Sequence, residues 1–111
     1  MTFTKGIGTP AFMAPEILHR KKYKHTADVY SFAITMYECL GWCEAFPKSQ
    51  FKFPWKIAEF IMEGKRPPQN EFIPNELFDI IEVAWNQEPS QRPQISTIVK
   101  MIEKQRNDLL N

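Results

Sequence analysis

Three features of the sequence predict a mainly α-helical fold. Apolar residues recur at helical spacing in four separate stretches. No run alternates apolar and polar residues as a half-buried strand would. Pro or Gly stands at most of the stretch boundaries. A length of 111 residues leaves room for one domain, and 43% apolar with 24% charged residues is ordinary globular usage, which argues against disorder and against a disulfide scaffold.

Residues 1–13 carry Thr and Gly without an apolar period and read as loop. Pro15 then opens a short helical turn, Glu16-Ile17-Leu18, since Pro suits a first helical position. The first long helix is predicted over 27–41, with Thr26 as N-cap and Asp28 in the first turn, where a carboxylate suits the helix dipole. Val29, Phe32, Ala33, Met36, Tyr37 and Leu40 form one apolar face, while Ala27, Tyr30, Ile34 and Cys39 continue around the other side. A helix apolar on nearly all sides belongs at the centre of a core, and Gly41 is its expected left-handed end.

Residues 42–53 are aromatic and irregular. A second helix starts at Pro54 and stops at Gly64, with Trp55, Ala58, Ile61 and Met62 as its buried stripe, before Arg66-Pro67-Pro68 breaks regular structure. A third covers 75–87, capped by Asn75, with Leu77, Ile80, Ile81, Ala84 and Trp85 on one face and Glu76 and Asp79 in its first turn. A fourth spans 94–107 with Ile95, Ile98, Val99 and Ile102 inside, and residues 108–111 form a tail expected to fray. The expected organisation is one folded unit, 1–107, built from about four main helices plus the turn at Pro15.

Charge narrows the functional classes. The net charge is +1, so no global field attracts nucleic acid. The basic run His19-Arg20-Lys21-Lys22-Tyr23-Lys24-His25 could form a docking patch but is too short for a nucleic-acid footprint and reads rather as a solvated loop, whereas residues 71–90 hold five acids and no Lys or Arg. No apolar stretch is long enough to enter and span a bilayer, and residues 1–9 show no secretory signal. Cys39 and Cys43, four apart on a helix, suit neither a mutual disulfide nor a zinc site, and are expected to be reduced and partly buried. No metal site is expected.

Gly6-x-Gly8-x-x-Ala11 matches a dinucleotide fingerprint only in letters: too few residues precede it for a βαβ unit, and Pro10 blocks the turn. A different motif stands out. Gly8-Thr9-Pro10-Ala11-Phe12-Met13-Ala14-Pro15-Glu16 resembles the end of a protein-kinase activation segment, closing on the A-P-E signature. Further matches follow in order. Asp28-Val29-Tyr30-Ser31-Phe32 is similar to the D-V-W-S-F opening of the family's central helix. Gly64-Lys65-Arg66-Pro67 resembles its G-x-R-P segment, Trp85 occupies a common helix-Trp position, and Glu88-Pro89-Ser90-Gln91-Arg92-Pro93 resembles its D-P-x-x-R-P loop. These matches cover essentially the whole chain. The chain is identified as resembling the C-terminal part of a protein-kinase large lobe, of the tyrosine-kinase-like group with a Ser/Thr-type activation segment.

The resemblance assigns expectations to residues. Glu16 should pair with Arg92, Asp28 should accept backbone N–H groups from a catalytic loop, and Ala14, Pro15 and Trp85 should serve as structural family positions. Thr9, Pro10, Ala11, Phe12 and Met13 should shape the pocket for a protein or peptide substrate. Thr2 and Thr4 lie where activation-segment phosphosites occur. Three positions depart from the pattern: Tyr30 for Trp, Ala33 for Gly and Phe12 for Tyr.

Phosphoryl transfer also needs a Gly-rich loop, an ATP-contacting Lys and its Glu partner, the H-R-D Asp with a following Asn, and the D-F-G Asp. None is present; His19-Arg20 is followed by Lys21. Hence no catalytic residue and no ATP or magnesium ligand is expected in this chain. ATP and magnesium belong to the complete domain, whose N-terminal portion is an expected partner. Two readings fit: part of an intracellular, cytoplasmic Ser/Thr kinase, inactive by itself, or a non-catalytic module of kinase ancestry that binds peptides or proteins.

Overall fold

A computed structural model of the chain describes residues 10–18 and 24–110. A 3-10 turn, Pro10–Phe12, leads into five helices: α1 (Pro15–Leu18), α2 (Lys24–Gly41), α3 (Pro54–Met62), α4 (Asn75–Ala84) and α5 (Ile95–Leu110). A second 3-10 turn, Pro89–Gln91, links α4 to α5, and no strand occurs among the described residues.

The central position of α2 follows from its all-round apolarity. Val29, Tyr30, Ala33, Ile34, Met36 and Tyr37 are all buried, with α4 packed along the helix and the first 3-10 turn against it. Helix α5 packs on α4, and α3 packs on α1 and the first 3-10 turn. Phe78, Ile80, Ile81, Ala84 and Trp85 line the buried side of α4; Trp85 lies 5.6 Å from the ring of Tyr37 and 6.0 Å from that of Phe78.

Several boundaries differ from the sequence reading. Helix α2 begins at Lys24, so Thr26 lies inside it, and the Thr26 hydroxyl donates to Glu16 Oε2 instead of capping the helix. Helix α4 is capped by Pro74 and ends at Ala84, where the carbonyls of Trp85 and Asn86 are taken by the guanidinium groups of Arg66 and Arg92. Helix α5 runs on to Leu110, because nothing from Lys104 onward breaks a helix. Its stripe is narrower than expected: Ile98 is fully buried, but Ile95 and Val99 are exposed. Trp55 is likewise half-exposed at the start of α3, while Ala58 and Ile61 carry the burial there. Cys39 is exposed and Cys43 partly so, and both are free thiols.

The two helix ends use glycine differently. After α3, Gly64 takes φ +88°, its N–H donates to Ile61 O and that of Lys65 donates to Phe60 O, a paired closure that needs a left-handed residue. After α2, Gly41 stays helical and Trp42 takes the left-handed position at φ 50°. Space at Gly41 is tight: a Cβ there would lie 3.0 Å from Asn70 Nδ2 and 3.1 Å from Cys43 Sγ, so those side chains would have to give way slightly.

Candidate functional site

The site is built from the A-P-E turn, the start of α2 and the loop before α5. The Ala14 carbonyl accepts from the N–H groups of Ile17 and Leu18, which turns α1 and sets Glu16 inward. Pro93 follows Arg92 and the 3-10 turn at Pro89 precedes it, so the arginine sits on a stiff connector.

Arg92 donates from Nη2 to Glu16 Oε1 at 2.9 Å and from Nη1 to Glu16 Oε2 at 2.7 Å. The residues are 6% and 5% exposed, so a two-bond ion pair lies out of water. Two of the three remaining donors are used as well: Nη1 reaches Thr26 O at 2.8 Å and Nε reaches Asn86 O at 2.8 Å. One guanidinium thereby joins α1, α2 and the end of α4. Such satisfaction is what permits a charge pair to be buried at all.

Tyr30 lies beside this pair. Its ring centroid is 5.3 Å from the guanidinium carbon of Arg92 and 5.2 Å from that of Arg66. Its buried hydroxyl has no hydrogen-bond partner among the described residues. Burial pushes the phenol well above the usual tyrosine range, against the opposing pull of Arg66 and Arg92. Arg66 is held by neutral acceptors: Trp85 O at 2.9 Å, Lys65 O at 2.8 Å, Ile61 O at 3.4 Å and Gln87 Oε1 at 2.7 Å. Its burial lowers its pKa. Sequence reading matched the motif containing Arg66 but assigned that side chain no role. In the sequence Tyr30 is only an aromatic in place of Trp, and its position between two arginines needs the fold.

The other expected residues fall as follows. The first 3-10 turn is tied to α2 by the Ser31 hydroxyl, which donates to Phe12 O at 2.6 Å. Met13 and Ala14 are buried, Ala11 is half-buried and the ring of Phe12 is 37% exposed. Asp28 is exposed and lines a cavity of about 480 Å³ with His25, Thr26, Val29, Arg92 and Ile95. Trp85 is a core residue, 4% exposed. Thr2, Thr4, Thr9 and most of the basic run lie outside the described residues. No group of three or more His, Cys, Asp or Glu side chains converges among the described residues. No described helix is long and apolar enough to cross a membrane.

Comparison with known proteins gives the family. The family described as protein tyrosine and serine/threonine kinase matches residues 3–102. A probable serine/threonine-protein kinase of Dictyostelium discoideum is 34% identical over 97 residues, covering 87% of this chain and 6% of the relative. The RGS domain-containing serine/threonine-protein kinase A of the same organism is 34% identical over 100 residues, covering 90% of this chain and 9% of the relative. A putative serine/threonine-protein kinase/receptor of Acanthamoeba polyphaga mimivirus is 34% identical over 95 residues, covering 86% and 6%. The chain belongs to the protein kinase family, as a helical C-terminal part of the large lobe. It spans between 6% and 9% of the length of these three relatives.

Proposed function

We propose that this chain is the substrate-side scaffold of a Ser/Thr protein kinase of the tyrosine-kinase-like group. The observation that carries the reading is the buried Glu16–Arg92 pair, which anchors the A-P-E turn to the last loop of the lobe. Its chemical work is positioning. Ser31 holds the carbonyl of Phe12, Arg92 holds Glu16, and the turn Pro10–Phe12 is presented to a protein substrate from a fixed base. ATP, magnesium and the catalytic Asp are supplied by the rest of the complete domain, and the chain by itself transfers no phosphate. The Gly8-Thr9-Pro10 wording supports Ser/Thr rather than Tyr acceptors, and Trp85 with the Glu88–Pro93 loop supports the group.

The test uses radiolabelled ATP with magnesium and a generic protein substrate. The full-length protein is expected to yield phosphoserine or phosphothreonine and the 111-residue chain no product. Calorimetric nucleotide binding by the 111-residue chain at micromolar affinity would overturn the division of labour. Phosphotyrosine as the sole product would overturn the specificity.

A further inference from the structure

A second surface forms where the end of α2 meets the loop before α4. One side chain joins the two segments. Asn70 Nδ2 donates to Gly41 O at 3.3 Å and to Cys43 Sγ at 3.4 Å, while Asn70 Oδ1 accepts from the Phe72 N–H at 2.8 Å. The Ile73 N–H donates to Asn70 O at 3.0 Å, which closes the second segment into a turn. From the body of α2 the Tyr37 hydroxyl donates to Pro68 O at 2.6 Å and ties the same loop down. The junction is therefore fixed, yet it carries two aromatic rings in water. Trp42 stands between the two residues that Asn70 contacts and is 91% exposed; Phe72 is 66% exposed. Glu71, next to Phe72 in the chain, and Glu44, two residues beyond Trp42, are exposed as well.

Neither ring gains much from the fold. The backbone of Trp42 sits at φ 50°, where a glycine would be less strained, and its indole buries almost no surface in return. Charge says what could cover the rings. Residues 25–47 and 67–91, which supply this surface, contain no Lys or Arg, so its formal charge comes from carboxylates alone. A guanidinium is attracted both by the face of an indole and by a carboxylate. We propose that Trp42, Glu44, Glu71 and Phe72 form a docking site for an arginine-bearing basic segment of a partner protein. The indole face takes a guanidinium, Phe72 takes an apolar side chain, and Glu44 and Glu71 pair with flanking cations. An anionic lipid surface or a nucleic acid would be repelled by the same carboxylates. The site is separate from the Glu16–Arg92 clamp, since Thr26 and Gly41 stand about 22 Å apart along α2. The inference concerns binding alone and does not depend on phosphotransfer.

The experiment uses the full-length protein and a fluorescein-labelled peptide of Arg and Leu, read by anisotropy. Binding is expected, weakening as ionic strength rises from about 0.05 to 0.3 M. The variants W42G/F72A and, separately, E44K/E71K should each weaken it about tenfold or more. Their thermal melts should stay close to the wild type, because all four side chains are exposed, and if one pair fails to fold the other decides. A matched peptide of Lys and Leu should bind more weakly than the Arg peptide, and one of Glu and Leu should not bind. Equal affinity of wild type and variants for the Arg peptide overturns the proposal. So does retention on phosphatidylserine vesicles or an oligothymidylate that W42G/F72A abolishes. Sedimentation of the wild type without peptide gives the last check: association between copies that the same variants abolish would make a second copy the occupant and overturn the assignment to a partner protein.

Discussion

Glu16 and Arg92, 76 positions apart in the chain, meet through two parallel hydrogen bonds in a buried ion pair. Removing one partner leaves the other charge in a low-dielectric site. E16A is expected to lower stability by about 3–5 kcal/mol, and R92A by a similar amount. The double variant should cost clearly less than the sum, because no charge is then stranded. Urea unfolding of the four proteins measures the coupling. A strictly additive cycle would show that the two side chains do not act as a pair.

Tyr30 is held for its ring, since its hydroxyl finds no partner among the described residues. Y30F keeps the stacking on both arginines and removes a desolvated hydroxyl, so stability should stay level or rise by about 1 kcal/mol. Y30A should lose about 3–5 kcal/mol. A loss above about 1 kcal/mol in Y30F would reveal a bond to the hydroxyl.

The same phenol has a pH consequence. Its folded pKa lies above the ordinary value near 10, so in that range the unfolded chain releases a proton that the folded chain keeps. Stability from this group is complete below pH about 10 and is lost as pH rises above it. Wild type should therefore lose stability more steeply than Y30F on going from about pH 9 to 11. Tyr37, also raised by burial, contributes equally to both proteins and cancels in the difference. Parallel pH curves for the two proteins would refute the assignment.

Two left-handed positions predict opposite substitution effects. G64A should cost about 1–2 kcal/mol, because φ +88° is strained for a residue with a Cβ although no atom lies within 4 Å to clash. W42G should be neutral or stabilising by up to about 1 kcal/mol, because Trp42 is 91% exposed and its φ of 50° is paid for by a bulky residue. Thermal melts of the two variants give the comparison. Destabilisation by W42G would mean that the indole makes a contact the fold depends on.

Helix identity was legible because it rests on local spacing. The stripes of α2 and α4, the proline start of α3 and the glycine closure at Gly64 all follow from side-chain period and backbone freedom. The errors arose where a distant group competes for a local one. Thr26 reads as a cap, but α2 starts earlier, at Lys24, and the Thr26 hydroxyl donates to Glu16; α4 reads as longer until Arg66 and Arg92 take the carbonyls beyond it. Trp55 and Val99 fit apolar stripes, but no described element covers them fully, and spacing alone carries no information about a neighbour's extent.

For the site, the motif order in the sequence determined the family and named both ends of the clamp, because A-P-E and the Arg92 loop are recognisable in isolation. Tertiary structure alone decided what surrounds them. A tyrosine ring lies beside two arginines, one of which meets only neutral acceptors among the described residues, and a stacked aromatic pair at the start of α3 stays half-exposed. The reason is physical: a residue's type follows from sequence, but its dielectric surroundings and hydrogen-bond partners exist only once remote segments have packed.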